Sequence, residues 1–366
     1  MHILVTTDTA GGVWVYTQEL VSGLLRRGDR VTLVSFGGLP RPDQTVWMQE
    51  FPNLDFRPTD YKLEWMQDSE GDIQSSKRLL KSIVNETQPD LLHLNQFCYG
   101  DLDIPIPRVV VAHSDVLSWW EQVEGGKPGE SPWIVWYRET VKRGLAAADV
   151  VITPSGWMLG AIRKHYLDPA YGLVIYNGRT PSRFSTSTQK EDVVLSVGRM
   201  WDKAKQISLV SAIPDHVSVW IAGGTREPAS ESADNNLPHS PNCSFLGEQS
   251  QPELRDLFAQ SAIYAATSRY EPFGLAPVEA AFSKCAIVAN DIPVFRELWG
   301  SSVCYFQTNN GEDLASRVRV LTSDRELCRQ YGEAAYQRAS RLFTAERMVE
   351  EYRLLYRNVA ATQVVA

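Results

Sequence analysis

The feature that most constrains this chain is a strand-and-helix grammar that runs through it twice. Short β-branched and aliphatic runs bounded by turn residues alternate with stretches of helical hydrophobic period. In the first half these runs are HILVTT, RVTLVSF, DLLHLN, RVVVAHS, DVVITPS and, near residue 175, LVIYNG. A polar stretch from Thr180 to Lys190 interrupts them, and the grammar restarts with DVVLSVGRM, VSVWIAGG, CSFLGE, AIYAATS, CAIVAND and SVCYF. Apolar strands separated by helices predict a parallel sheet covered on both faces. Two rounds predict two such sheets, and 366 residues suit two cores of roughly 180 residues better than one. The expected fold is therefore α/β, two Rossmann-like domains with parallel sheets facing across a cleft. The boundaries fall at 1–178 and 179–345, with 346–366 a terminal helix packing back on the N-terminal domain.

Charge narrows the partners. With 36 basic and 44 acidic residues the net charge is −8, and no dense Lys/Arg block exists, so the footprint of a nucleic-acid binder is missing. A phosphate-bearing ligand must then be held locally. The N-terminus moves directly from strand to glycine turn without a leader pattern, and no apolar run approaches the roughly 18 residues of a membrane span. Cys98, Cys243, Cys285, Cys304 and Cys328 show no CxxC spacing and read as reduced thiols. These features together predict a cytoplasmic protein. No HExxH or Cys/His cluster is present, so neither a metal nor a cofactor is expected. The segment Arg226 to Pro241 reads as a mobile surface loop. The basic stretch Arg138, Lys142 and Arg143, with Trp133 and Trp136 beside it, reads as a solvated helix face, with peripheral membrane contact as the other use.

Several strings carry chemistry. After the first strand, Asp8 is followed by Thr9-Ala10-Gly11-Gly12 and a helical pattern, so glycines let backbone approach a ligand at a helix amino end. GxGxxG is missing and the second strand ends in Phe36-Gly37 without an acidic residue, which argues against a dinucleotide. In the second half, ATSRYEPFGLAPVEAAF follows a strand and carries Glu271 and Glu279. Pro277 suits the first helical turn, so the amides of Phe273, Gly274 and Leu275 should face a phosphate or sugar oxygen. Glu271 would meet sugar hydroxyls, and Glu279 could accept from a ribose diol. Upstream, Gly198 and Arg199 end a strand and Lys205 follows; two cations there could neutralise a leaving diphosphate. Among aromatic side chains, Tyr99, Trp119 and Trp120 are candidates for acceptor contact.

The glutamate pair, the Arg199/Lys205 pair and the Gly11-Gly12 turn together resemble the retaining GT-B glycosyltransferases of family four, over nearly the whole chain. That resemblance implies a hexose transferred from a nucleotide sugar, UDP-sugar favoured, to an unidentified saccharide, lipid or small-molecule acceptor. It implies a metal-independent front-face substitution in which the leaving phosphate takes the acceptor proton. It maps the family's mid-chain histidine onto His113 at the donor sugar, and its Asn-Gly element onto Asn177-Gly178, with a hinge near Arg179. Arg199, Lys205, His113 and Glu271 would then form the catalytic group. Gly12, Asn177, Gly198, Phe273, Gly274, Leu275 and Glu279 would hold the donor, and Gly11 would lie on the acceptor side. Gln206 stands where the family usually has glycine. The alternatives are a nucleotide-sugar epimerase or phosphorylase on the same fold, and an inactive sugar-nucleotide-binding module.

Overall fold

The computed structural model describes residues 1–9, 11–225 and 240–363, so the loop expected at Arg226 to Pro241 lies almost wholly outside the described residues. The chain divides into two compact units. The first comprises Met1–Glu121, Gly126–Gly178 and the chain from Ala345 onward; the second comprises Gln122–Gly125 and Arg179–Thr344.

The first unit runs β1 (His2–Asp8), α1 (Gly12–Arg26), β2 (Arg30–Phe36), α2 (Pro42–Thr45), β3 (Leu54–Pro58), α3 (Glu70–Thr87), β4 (Leu91–Leu94), β5 (Arg108–Val111), α4 (Val116–Glu124), α5 (Pro132–Ala146), β6 (Val150–Thr153), α6 (Gly156–His165) and β7 (Gly172–Val174). Its seven strands lie in the order β3-β2-β1-β4-β5-β6-β7. Every neighbouring pair is parallel. Strand order reverses between β1 and β4, and in such sheets ligands bind beyond the carboxyl ends of the strands at that reversal.

The second unit runs β8 (Glu191–Val197), β9 (Ser218–Ala222), β10 (Cys243–Gly247), α7 (Gln251–Gln260), β11 (Ser261–Ala266), α8 (Leu275–Phe282), β12 (Ala286–Asn290), α9 (Pro293–Trp299), β13 (Cys304–Phe306), α10 (Gly311–Ser323) and α11 (Arg325–Leu342). Its sheet order is β10-β9-β8-β11-β12-β13, again parallel throughout. The reversal here lies between β8 and β11.

Strand sequences explain why both sheet faces are covered. In β1, Ile3 and Val5 pack on one side with Leu20 and Leu24 of α1, whereas Leu4 points to the other side with Leu80 of α3 and Val141 of α5. The final helix, α12 (Ala345–Gln363), joins the first unit: Met348, Val349, Tyr352 and Tyr356 are all buried in the cluster that holds Ile3 and Val5. Met348 and Val349 alone contribute about 3–6 kcal/mol by leaving water. Helix starts are signalled locally. Ser131 caps α5 by accepting from Ile134 N at 3.2 Å, Ser155 caps α6 by accepting from Met158 N at 3.1 Å, and Ser250 with Glu253 forms a capping box on α7.

One close approach depends on glycine. A Cβ on Gly144 of α5 would lie 1.8 Å from the carbonyl oxygen of Phe97, a backbone atom that cannot swing aside. Gly144→Ala is expected to lose about 1–3 kcal/mol of stability through overpacking. A urea midpoint within experimental error of wild type would show that the contact yields freely.

Candidate functional site

Each reversal point carries polar side chains that the sequence singled out. In the second unit, β8 ends at Val197 and the chain turns through Gly198 and Arg199. A Cβ on Gly198 would touch Lys205 Cγ at 3.2 Å, so the lysine stem lies over this glycine. Gly223, at the end of β9, has φ of 145°, and its Cβ would sit 1.9 Å from the Gly198 carbonyl oxygen. The two strand ends therefore pack backbone to backbone.

Lys205 reaches the loop after β11. Its Nζ lies 2.6 Å from Glu271 Oε2, and Ser268 Oγ donates to the same oxygen at 3.1 Å. Backbone pins hold the two loops together: Thr267 Oγ1 donates to the Lys205 carbonyl at 2.6 Å, and Arg269 N donates to the Ala204 carbonyl at 2.9 Å. Arg199 instead pairs with Asp202 at 2.9 Å and lies over the Trp201 ring at 4.8 Å. The structure thus joins Lys205 to Glu271 and Arg199 to its own turn.

Gln206, the residue in the family's glycine position, adopts a left-handed φ of 46°. A non-glycine residue accepts that conformation only when its surroundings hold it there. With the carboxamide oriented to satisfy both ends, its oxygen accepts from Arg269 Nε at 2.8 Å and its nitrogen donates to Asn309 Oδ1 at 2.7 Å. Asn290 is fully buried and ties the same loops, donating to the Ser268 carbonyl at 3.1 Å and accepting from Asn309 N at 2.9 Å. Asn290, at the end of β12, therefore contributes a strut to the loop that carries Glu271.

α8 begins at Leu275, and Gly274 precedes it with φ of 88° and no side-chain cap. A Cβ there would press on Glu271 Cγ at 3.0 Å, so glycine is required on both conformational and steric grounds. Pro277 falls in the first turn. Phe273 is buried edge-on against Phe343 at 5.4 Å, so its ring anchors the turn while its backbone heads the helix. Glu279, one turn in, is 5% exposed and lies 2.9 Å from Nε of Arg179, itself 1% exposed. Arg179 also donates through Nη2 to Gln251 Oε1 at 2.8 Å. Arg179, which the sequence pointed to only for a hinge, is also a buried partner of a donor-binding candidate, a pairing the sequence did not announce.

In the first unit, Gly11 takes φ of 80° with open space around the position of a Cβ. Gly12 opens α1, which has neither a side-chain cap nor an acidic residue in its first turn. Its leading N–H groups are therefore suited to an anion or an electron-rich oxygen. His113, just beyond β5, is half-buried; its Nε2 lies 2.8 Å from Asn95 Oδ1 and its ring stands edge-on to Tyr16 at 4.6 Å. Burial, with His93 nearby, pushes its pKa down to about 3, so it is neutral at physiological pH. Asn177 is buried, and its Oδ1 has no hydrogen-bond partner among the described residues, leaving an acceptor that a ligand could satisfy.

The aromatic candidates separate. Trp119 and Trp120 lie half-buried on α4, 6.1 Å apart and edge to face. Tyr99 is wholly buried: its ring packs against Phe36 at 4.9 Å and its hydroxyl donates to Ser76 Oγ at 3.0 Å, so the acceptor role assigned to it is withdrawn. On α5, Arg138, Lys142 and Arg143 are paired with Glu130, Glu139 and Asp101, and Trp133 Nε1 donates to the Met66 carbonyl at 3.1 Å. These pairings favour the solvated-face reading. Among the described residues no helix is long and apolar enough to cross a membrane, and no group of three or more His, Cys, Asp or Glu side chains could hold a metal ion.

Two parallel doubly wound sheets with these strand orders define the GT-B class of glycosyltransferase. A profile described as glycosyl transferases group 1 matches residues 179–338, and one described as glycosyltransferase family 4 matches residues 10–183; the chain belongs to this family. It is 28% identical over 306 residues to alpha-maltose-1-phosphate synthase of Mycolicibacterium smegmatis, covering 74% of this chain and 76% of that one. Among solved structures it resembles sucrose-phosphate synthase from Thermosynechococcus elongatus, with TM-score 0.81, 17% identity and coverage of 99% and 100% of the two chains. It also resembles Anabaena HepE, solved in complex with UDP and glucose, with TM-score 0.74, 17% identity and coverage of 98% and 100%.

Proposed function

We propose that this glycosyltransferase is a retaining hexosyltransferase that takes its sugar from a UDP-sugar without a metal ion. The observation that carries the proposal is the Lys205–Glu271 pair set beside the uncapped start of α8, at the strand ends flanking the reversal of the second sheet. A diphosphate seated there would meet the Lys205 ammonium, the Arg199 guanidinium and helix amides, which is where charge develops as the bond to the sugar breaks. Among the described residues the hydrogen bonds of Glu271 fall on Oε2, which leaves Oε1 available to a sugar hydroxyl. The first unit takes the acceptor, with the start of α1, Trp119 and Trp120 as its contact region. HepE, of similar fold, was solved with UDP and glucose, which supports uracil as the base.

In the reaction, the bond between the anomeric carbon and the phosphate oxygen breaks and the acceptor oxygen bonds to that carbon on the same face. The acceptor proton passes to the leaving phosphate oxygen, and UDP departs. No protein carboxylate serves as nucleophile, in contrast to retaining hydrolases.

Calorimetry and thermal unfolding with UDP-, GDP- and ADP-sugars in chelator-treated buffer test the donor. A UDP-sugar at a hundred times its Kd should stabilise the protein by about 2.7 kcal/mol, and the others far less. Selective binding of a guanine or adenine nucleotide would move the base assignment; binding of none would remove the donor site altogether.

A further inference from the structure

The first unit contains a buried hydrogen-bond chain that ends on His113. Asn95 follows β4, and its Nδ2 donates to the Thr6 carbonyl at 2.7 Å and approaches Thr17 Oγ1 at 3.4 Å. A carbonyl oxygen can only accept, so the amide orientation is forced and Oδ1 must be the accepting end. Two histidine nitrogens meet that oxygen, His113 Nε2 at 2.8 Å and His93 Nε2 at 3.2 Å. Both must therefore carry hydrogen. The other nitrogen of His93, Nδ1, is then a lone pair, and the Tyr356 hydroxyl of α12 supplies a hydrogen to it at 2.7 Å. The Tyr16 hydroxyl, 3.3 Å from His93 Nε2, can accept from the same N–H, so each contact of the chain has a donor and an acceptor. What remains is Nδ1 of His113, which has no recorded partner among the described residues on a ring that is only half-buried.

We propose that Asn95 is a positioning residue that locks His113 in the neutral Nε2–H tautomer, so that its bare Nδ1 accepts a hydrogen bond from a substrate hydroxyl. The proposal rests on the reading of His113 as a residue at the reacting centre. It adds the protonation state and the group that imposes it. Protonation of His113 would convert Nδ1 from acceptor to donor, and the surroundings oppose it. The ring is desolvated, with His93 and Tyr16 facing it. Tyr352 and Tyr356 lie behind His93, and burial holds all three tyrosine hydroxyls in the neutral form. Asp115, two residues along the chain, is engaged by Tyr166 and Ser118.

The test uses the whole protein labelled with 15N-histidine. In wild type, His113 should show the Nε2–H tautomer and no titration between about pH 5 and 8. The Nδ1–H tautomer, or protonation within that window, would overturn the proposal without any variant. Asn95→Asp keeps an accepting oxygen but places a carboxylate beside the ring, which favours imidazolium and raises the His113 pKa. Because the neutral form is the active one, transfer by Asn95→Asp should be lost as pH falls through the raised value, about tenfold per pH unit below it, and regained above it. Wild type should show no such limb. If the spectra change as expected but transfer ignores the titration, the hydroxyl-acceptor role fails while donor binding, measured by calorimetry, stands. If wild type binds no nucleotide sugar, the transferase reading beneath the proposal fails instead.

Discussion

Replacing Lys205 by alanine is expected to lower kcat for sugar transfer by about 100-fold or more, the usual effect of removing one charge-stabilising donor from a leaving group or oxyanion. In the proposed reaction the diphosphate gains negative charge as its bond to the sugar lengthens, so a cation there would act more strongly on the transition state than on the bound donor. The lysine also holds Glu271 at 2.6 Å, with both side chains mostly shielded from solvent. Alanine would therefore leave that carboxylate with Ser268 as its remaining partner among the described residues and free it to repel the phosphates of the proposed donor. Lys205→Arg retains the charge and should recover part of the loss. Glu271→Gln removes the repulsion and should act mainly through sugar binding, raising KM. Turnover by Lys205→Ala equal to wild type would remove the lysine from the chemistry.

The second large effect concerns stability. Arg179→Met should destabilise the second unit by about 3–5 kcal/mol, because it removes the guanidinium that lies 2.9 Å from Glu279, a carboxylate only 5% exposed. Urea unfolding followed by fluorescence measures this directly. The double variant Arg179→Met with Glu279→Leu should regain most of the loss, since an apolar pair of similar volume is often neutral in such places. A loss below about 1 kcal/mol in the single variant would mean that water reaches the pair and screens it. The same pair limits what Glu279→Ala can say about donor binding, since that substitution also takes a carboxylate away from the buried Arg179 guanidinium. Loss of binding in that variant becomes interpretable only beside its unfolding curve.

Most strands were legible because apolar and β-branched residues dominate them, whether they are buried centrally or lie at an edge as β7, β10 and β13 do. β3 was not legible. LDFRP carries Asp55 and Arg57, which pair with each other at 2.8 Å, and ends in Pro58, because an edge strand has one side open to water and tolerates them. Local strings also announced the glutamate pair, the α8 start and Lys205, because phosphate chemistry demands a glycine, a helix amino end and a cation within a few residues. Arg179 escaped notice because a charged residue after Asn-Gly looks like an exposed linker, and its partner lies a hundred positions away. Tyr99 misled for the opposite reason: an aromatic residue beyond a strand suggests a ligand face, yet its hydroxyl is satisfied by Ser76 from another helix. Asn95 carried no signal at all, since its meaning depends on Thr6 of β1, His93 of β4 and His113 just beyond β5 converging on it.

The placement of α12 bears on how the protein is made. Its side chain Val349 lies so close to α1 that a Cβ on Gly23 would overlap it at 2.4 Å, and its Tyr356 reaches back 263 residues to His93. A ribosome therefore finishes the second sheet before it releases the helix that covers the first. Until then, Tyr16, His93 and the face of α1 around Gly23 lack the cover that α12 gives them. The half of the molecule synthesised first is the half completed last, and chaperone attention during translation should centre on that waiting surface.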